Sequence, residues 1–394
     1  MPPSGTGGIW PSQMIREAIE KGWISCGERR PPALEIQPAS LDLRLEGRAS
    51  ALRCSFLPNS SSTVEEKLAE LSYETIDLRE DGATLSPGRP YLVKLVESLR
   101  LPPGVRAKAN PKSSTGRLDV FTRVITSKTD RFDEIPAGYQ GPLYLEVVPR
   151  SFPIRVKELD CLNQLRLMTG DPRCSDTDLL TAHRAEPVLY RNGKPLEESE
   201  LRLGEGLLLS AWLGTKTTEV VGYRARQNVA PIDISKIGAY AWGDYWEPIF
   251  PERGQRVVLD PRDFYLLLSD EAVCIPPQFA AEMVAHDPNA GELRTHYAGF
   301  FDPGFGYDSR GGVSGTRAAL EVRARDVPFM VEHGQPICRL VFERMIEAPE
   351  VLYGHQAGSH YQGQEVMLSK HFSDQTASRG QLEIDALAYA TRTG

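Results

Sequence analysis

Apolar and polar positions along this chain repeat at two periods. Met14, Ile15, Ala18 and Ile19 fall on one face at helical spacing, which predicts a short amphipathic helix over residues 11–21 with Ser12 as its N-cap. The second half of Ile36-Gln-Pro-Ala-Ser-Leu-Asp-Leu-Arg-Leu45 alternates apolar and polar, as a half-buried strand does. Residues 58–70, with Asn59-Ser-Ser-Ser-Thr, read as a surface loop running into a short helix. Leu143, Tyr144, Leu145, Val147 and Val148 form a strand-like apolar run with Glu146 set inside it. The 30 Pro and 34 Gly break the chain into short elements and favour strands over long helices.

The pattern also repeats at long range. LSPGRPYLVKLVESLRLPPGV at 85–105 aligns without a gap on LDPRDFYLLLSDEAVCIPPQF at 259–279, an offset of 174. LEV at 145–147 recurs at 320–322, and Pro153 and Leu165 recur as Pro328 and Leu340, an offset of 175. Two matching blocks on either side of a variable loop predict a tandem duplication of one β-rich unit. The expected organisation is a first unit over 1–175, a turn-rich connector over 176–204, a second unit over 205–372 and a tail over 373–394.

A formal charge of -8 disfavours nucleic-acid binding through the phosphate backbone, so any anion must be held by a local basic pocket. The six cysteines include no Cys-x-x-Cys pair, and the seven histidines show no zinc-ligand spacing with them. With no apolar run long enough to span a bilayer and no secretory leader, the expectation is a cytoplasmic protein with free thiols.

Candidate chemistry concentrates in Asn110-Pro-Lys-Ser-Ser-Thr-Gly-Arg117. Lys112 and Arg117 supply charge there while Ser113 and Ser114 supply hydroxyls, a composition that suits a phosphate chain and equally makes a solvated turn. Glu146, enclosed by apolar neighbours, is a candidate buried general acid/base or an outward-facing strand residue. Glu321 holds the corresponding place in the second repeat. Asp133 suits a sugar hydroxyl or an acidic turn, and Phe301-Asp-Pro-Gly-Phe305 is a tighter turn carrying Asp302. Tyr353 and His360-Tyr-Gln-Gly-Gln364 read as a flexible loop or a lid closing over a nucleotide.

Ile36-Gln-Pro-Ala-Ser-Leu-Asp-Leu-Arg-Leu45, Lys112-Ser-Ser-x-x-Arg117, Leu145-Glu146 and His360-Tyr-x-x-Gln364, taken in order, resemble the dCTP deaminase family of the dUTPase-like superfamily, in a long double-unit form. The resemblance implies a mainly β chain of two tandem dUTPase-like distorted β-barrels, jelly-roll-like, with a few short helices. It implies sites at seams between units or chains, and hence a homo-oligomer. It further implies hydrolytic deamination of dCTP to dUTP and ammonia in dUMP/dTTP supply, with Mg²⁺ carried by the triphosphate. The zinc deaminases need His-x-Glu and Pro-Cys-x-x-Cys, neither of which is present, so zinc is not expected. The implied partners are dCTP and dUTP, with dTTP a candidate regulator and neither nucleic acid nor membrane involved.

By position, the resemblance makes Glu146 the proton shuttle. Ser113 and Arg117 then orient the attacking water, and Lys112, Ser113 and Ser114 hold phosphates. Asp133 faces the sugar, and Tyr353, His360 and Gln364 close over the nucleotide. Three departures stand out. Glu134-Ile-Pro-Ala137 looks like an insertion beside Asp133, and His360 stands where lysine is common. The second unit has Asp287 or Ala290, depending on the gap, where the first has Ser113. The expectation is therefore that the first unit supplies both the catalytic loop and its acid, the second supplies the lid, and Glu321 is a relic. Two rival functions are a dUTP diphosphatase, alone or combined with deamination, and a nucleotide sensor without turnover.

Overall fold

The structure is a computed structural model that describes residues 7–59, 61–285, 293–295, 299–307, 315–324, 326–354, 361–363 and 367–373. Its first sheet has the order Val120–Ile125, Gln140–Pro149, Tyr91–Arg100, Leu41–Leu52, Cys161–Thr169, Val105–Pro111 and Glu134–Ile135. The second sheet repeats that order. Leu293–Thr295 pairs with Thr316–Ala324, followed by Tyr265–Val273, Leu207–Trp212, Pro336–Arg344, Phe279–Ala285 and Phe300–Phe301. Each sheet curls into a distorted barrel, so the fold is mainly β, in two tandem units with a few short helices.

The alternation explains the curl. Leu41, Leu43 and Leu45 lie on one face of their strand and are fully buried, with Leu165 and Leu167 opposite them in the same core. Ile15 and Ala18 of the helix Ser12–Glu20 join this core, and Met14 and Ile19 pack against it. Ser12 is itself the first helical residue and buried, while Pro11 takes the cap position. The short helix Val64–Leu71 starts at a capping box between Thr63 and Glu66. Residues 176–204, read from sequence as a connector, carry the helix Asp176–Ala185 and a hairpin whose strand Leu189–Arg191 pairs with Tyr265–Val273.

The two units share a junction. Phe152 of the first unit sits edge-on to Trp246 and Tyr245 of the second, with ring centroids 5.2 and 5.8 Å away. Arg166, fully buried in the strand Cys161–Thr169, sends its guanidinium across to Glu343 at 2.9 Å and Asp302 at 3.0 Å, and to the Ala281 carbonyl at 3.1 Å. Lys108 pairs with Glu282, which also accepts from Asn110 at 3.1 Å. Burial raises the proton affinity of Asp302 and Glu343, and the Arg166 charge opposes that rise.

Removing this cation strands two carboxylates inside the junction. Arg166→Met should destabilise the chain by about 3–5 kcal/mol near neutral pH. The loss should shrink as acid neutralises the carboxylates, and urea unfolding at two pH values measures both effects.

Candidate active site

A cavity of about 370 Å³ opens at the seam between the units. Its first wall is the stretch singled out by composition. After the strand Val105–Pro111 the chain makes one helical turn, Ser113–Gly116, before entering Val120–Ile125. The amides of Thr115 and Gly116 both donate to the Lys112 carbonyl, which curls the turn and directs Lys112, Ser113, Ser114 and Arg117 to the cavity. Buried Arg117 lies with its guanidinium carbon 3.9 Å over the Tyr361 ring. Its Nη1 donates to the carbonyls of Met367 and Leu368 at 3.3 and 3.4 Å. Ser369 Oγ donates to the Ser114 carbonyl at 3.0 Å, so the C-terminal segment holds the turn from outside.

The second wall belongs to the other unit. Glu321, on the strand Thr316–Ala324, is 8% exposed and faces the turn at Gly116. A Cβ at Gly116 would sit 2.6 Å from Glu321 Oε2, so glycine is what permits this approach. Burial pushes the Glu321 carboxyl up to about 8, with Arg117 opposing and Asp119 reinforcing the rise. Asp302, Phe305 and Tyr353 complete this wall. Gly304, at φ 103, brings the Asp302 turn against the Tyr353 backbone, where a Cβ would lie 2.7 Å from Tyr353 N.

Glu35, Asp42, Cys161 and Lys370 gather around Lys112 at another part of the cavity. Lys112 is ion-paired with Asp42. Burial, and then the neighbouring Lys112 charge, lowers the proton affinity of Lys370. Lys112 and Lys370 together bring two cations to this part of the cavity, a pairing that suits a multiply charged anion.

The structure thus brings Lys112, Ser113, Ser114, Arg117 and Tyr353 together, and it leaves two expected residues elsewhere. Glu146 does not line the cavity. It is fully buried against Arg123, whose Nε donates to it at 2.9 Å, and that guanidinium lies 3.6 Å from the Phe132 ring and 4.6 Å from Phe121. The acid that faces the Ser113–Gly116 turn is Glu321, expected from sequence to be a relic. Asp133 is likewise outside the cavity, turned inward to accept from the Val124 amide at 2.7 Å, with burial pushing it up to about 7. Asp302 provides the cavity's carboxylate on that side instead. His360 and Gln364 lie outside the described residues. Sequence reasoning passed over Asp42, although it lies inside the quoted Ile36–Leu45 motif, and over Tyr361, inside the His360–Gln364 motif. Lys370 gave no local signal at all.

The family model described as "2'-deoxycytidine 5'-triphosphate deaminase (DCD), C-terminal domain" matches residues 175–372, and its N-terminal counterpart matches residues 6–171. The chain belongs to the dCTP deaminase family. The crystal structure of a 2'-deoxycytidine 5'-triphosphate deaminase from Agrobacterium tumefaciens superposes with a TM-score of 0.81 at 44% identity, covering 88% of this chain and 100% of that one. A dCTP deaminase of Natronomonas pharaonis is 29% identical over 34% of this chain and 65% of its own length. A dCTP deaminase of Methanothermobacter thermautotrophicus, described as dUMP-forming, is 27% identical over 34% of this chain and 64% of its own. The chain therefore spans somewhat less than two thirds of the length of these two curated relatives. No helix among the described residues is long and apolar enough to cross a membrane.

The raised proton affinity of Glu321 gives a stability signature for this dCTP deaminase family member. A carboxyl held at about 8 when folded, against 4.5 when free, stabilises the fold below the free value and loses that contribution as pH rises through about 8. Glu321→Gln should therefore gain stability on the wild type from about pH 5 to pH 9, read from denaturant midpoints. A constant gap would show that Glu321 titrates as an ordinary carboxylate.

Proposed function

We propose that the seam cavity hydrolyses the exocyclic amine of dCTP, giving dUTP and ammonia. One observation carries this: a proton-holding carboxyl, Glu321, stands directly against the turn that presents Ser113 and Arg117. At neutral pH Glu321 is largely protonated, so it can deliver a proton to ring N3 as water adds to C4. The carboxylate left behind takes one proton from that water and passes it to the amine, and as ammonia leaves and C4=O forms the C4 hydroxyl returns a proton to Glu321. Ser113 and Arg117 orient the water and stabilise the oxygen that gains charge at C4. Each proton taken from water is used once, so the overall change is dCTP plus water to dUTP plus ammonia.

Lys112, Lys370 and Ser114 line the cavity and in this reading hold the triphosphate, while Asp302 accepts from a sugar hydroxyl. Mg²⁺ would arrive on the phosphates and supply charge neutralisation there. Asp42 Oδ1, buried without a hydrogen-bond partner among the described residues, fits the hydration shell of such a cation. The reaction needs no zinc, because no zinc-deaminase signature is present and Glu321 supplies the proton traffic. The wider setting we propose is a cytoplasmic homo-oligomer in dUMP/dTTP supply, with dTTP as a regulator. The description of the Methanothermobacter relative favours a second reading, in which dUTP is carried on to dUMP and pyrophosphate.

Incubation with dCTP and Mg²⁺ in the presence of a zinc chelator, with ammonia and pyrophosphate both assayed, tests these readings. Ammonia with accumulating dUTP supports deamination alone, and added pyrophosphate supports the combined reaction. dCTP that binds and stays intact would overturn both and favour a sensor. Glu321→Gln should lower kcat by roughly 100- to 10,000-fold. Glu146→Gln should stay within about tenfold of wild type, because Glu146 acts in packing.

A further inference from the structure

Behind the Glu321 carboxyl lies a second pair of charges that spans the same seam. Asp119 follows Arg117 by two residues, is fully buried, and adopts a left-handed backbone at φ 57. Arg323 follows Glu321 by two residues on its strand, so both side chains project from the same face. The Arg323 guanidinium meets the Asp119 carboxylate in an ion pair, with Nε 3.3 Å from Oδ1. Ser151 donates to Asp119 Oδ2 at 2.6 Å and accepts from Arg323 at 3.1 Å. Arg323 also donates to the Arg262 carbonyl and lies 5.6 Å from the Phe264 ring. Each element of the reacting pair thus carries, two residues on, one half of an ion pair that joins them.

We propose that Asp119 and Arg323 are positioning residues, which lock the Ser113–Arg117 turn in register with Glu321 and set how firmly Glu321 holds its proton. This deepens the proposed deamination and rests on it for its catalytic meaning. Glu321 approaches the Gly116 backbone so closely that an added Cβ would lie 2.6 Å from its carboxylate, an approach that depends on the register of the seam. The left-handed backbone at Asp119 costs energy for a residue with a Cβ, and its ionic and hydrogen-bonded partners hold it there. Among the described residues, the other charged or titratable groups on Glu321's side of the cavity are Arg117 from the turn, Asp302 from the neighbouring turn, and Tyr353 and Tyr361 from the C-terminal segment. Arg117 favours the ionised form of Glu321, whereas Asp119, behind the cavity, favours the protonated form.

The sign of the charge removed gives the test. The titration of Glu321 is followed as the carboxyl infrared band lost in Glu321→Gln, which requires no substrate and no turnover. Asp119→Asn removes a negative charge and should shift the midpoint down by roughly one pH unit. Arg323→Met removes a positive charge and should shift it up, while the double variant should return it towards wild type. The matching limb of the kcat–pH profile should move in the same two directions, with KM for dCTP changing less than kcat, and Arg323→Lys should recover part of the loss. Lower activity with an unmoved midpoint, or shifts in the same direction in both variants, would reduce the pair to a structural contact and overturn the proposal. Opposite infrared shifts in a chain that does not deaminate dCTP would sustain the pair and overturn the function.

Discussion

The architecture depends on a cation buried in one unit whose counter-charges all come from the other. Arg166 is fully enclosed in a first-unit strand, and its Asp302 and Glu343 partners belong to the second unit. Such a group cannot remain inside protein without those partners, so the first unit is stable in this form only when the second is docked in one orientation. That orientation brings the Ser113–Gly116 turn to Glu321. It also fixes Asp302, whose carboxylate serves the junction through one oxygen while forming part of the cavity wall. Stability and site assembly are consequences of the same docking event.

Much of this was legible in the sequence, and the limits have a physical cause. The polar turn announced itself because Lys112, Ser113 and Arg117 are close along the chain, and local composition reports local chemistry. The β-rich units were legible because alternation such as Leu41, Leu43 and Leu45 directly encodes a buried strand face. The helix at Asp176–Ala185 has a readable start, with Ser175 and Asp178 forming a capping box, but the turn-forming residues around it have the composition of a connector. Choosing between Glu146 and Glu321 was beyond sequence alone. Both sit in a Leu-Glu-Val triplet, and periodicity gives them the same strand position. What separates them is which barrel face meets the turn, a property of packing between segments some 200 residues apart.

The twin glutamates show how one motif takes two fates. Glu146 is neutralised within its own unit by Arg123, which is braced by Phe132 and Phe121. Glu321 has Gly116 in front of it and keeps its proton through burial. The first is an ion pair that serves the packing of its barrel. The second is a group ready to exchange a proton with whatever fills the cavity. Identical local sequence therefore says little about charge state until the neighbours from elsewhere in the chain are in place.

Both walls of the cavity lie on one polypeptide, and this changes how the seam behaves on dilution. Two separate subunits would part as their concentration fell below the strength of their contact, whereas linked units face each other at an effective concentration that dilution does not alter. The linkage also frees the two copies from having to match. In a ring of identical subunits a substitution alters every seam at once, but here a change in the first unit touches one wall only. Ser113 can be kept on one side and dispensed with on the other, and each glutamate can follow its own surroundings.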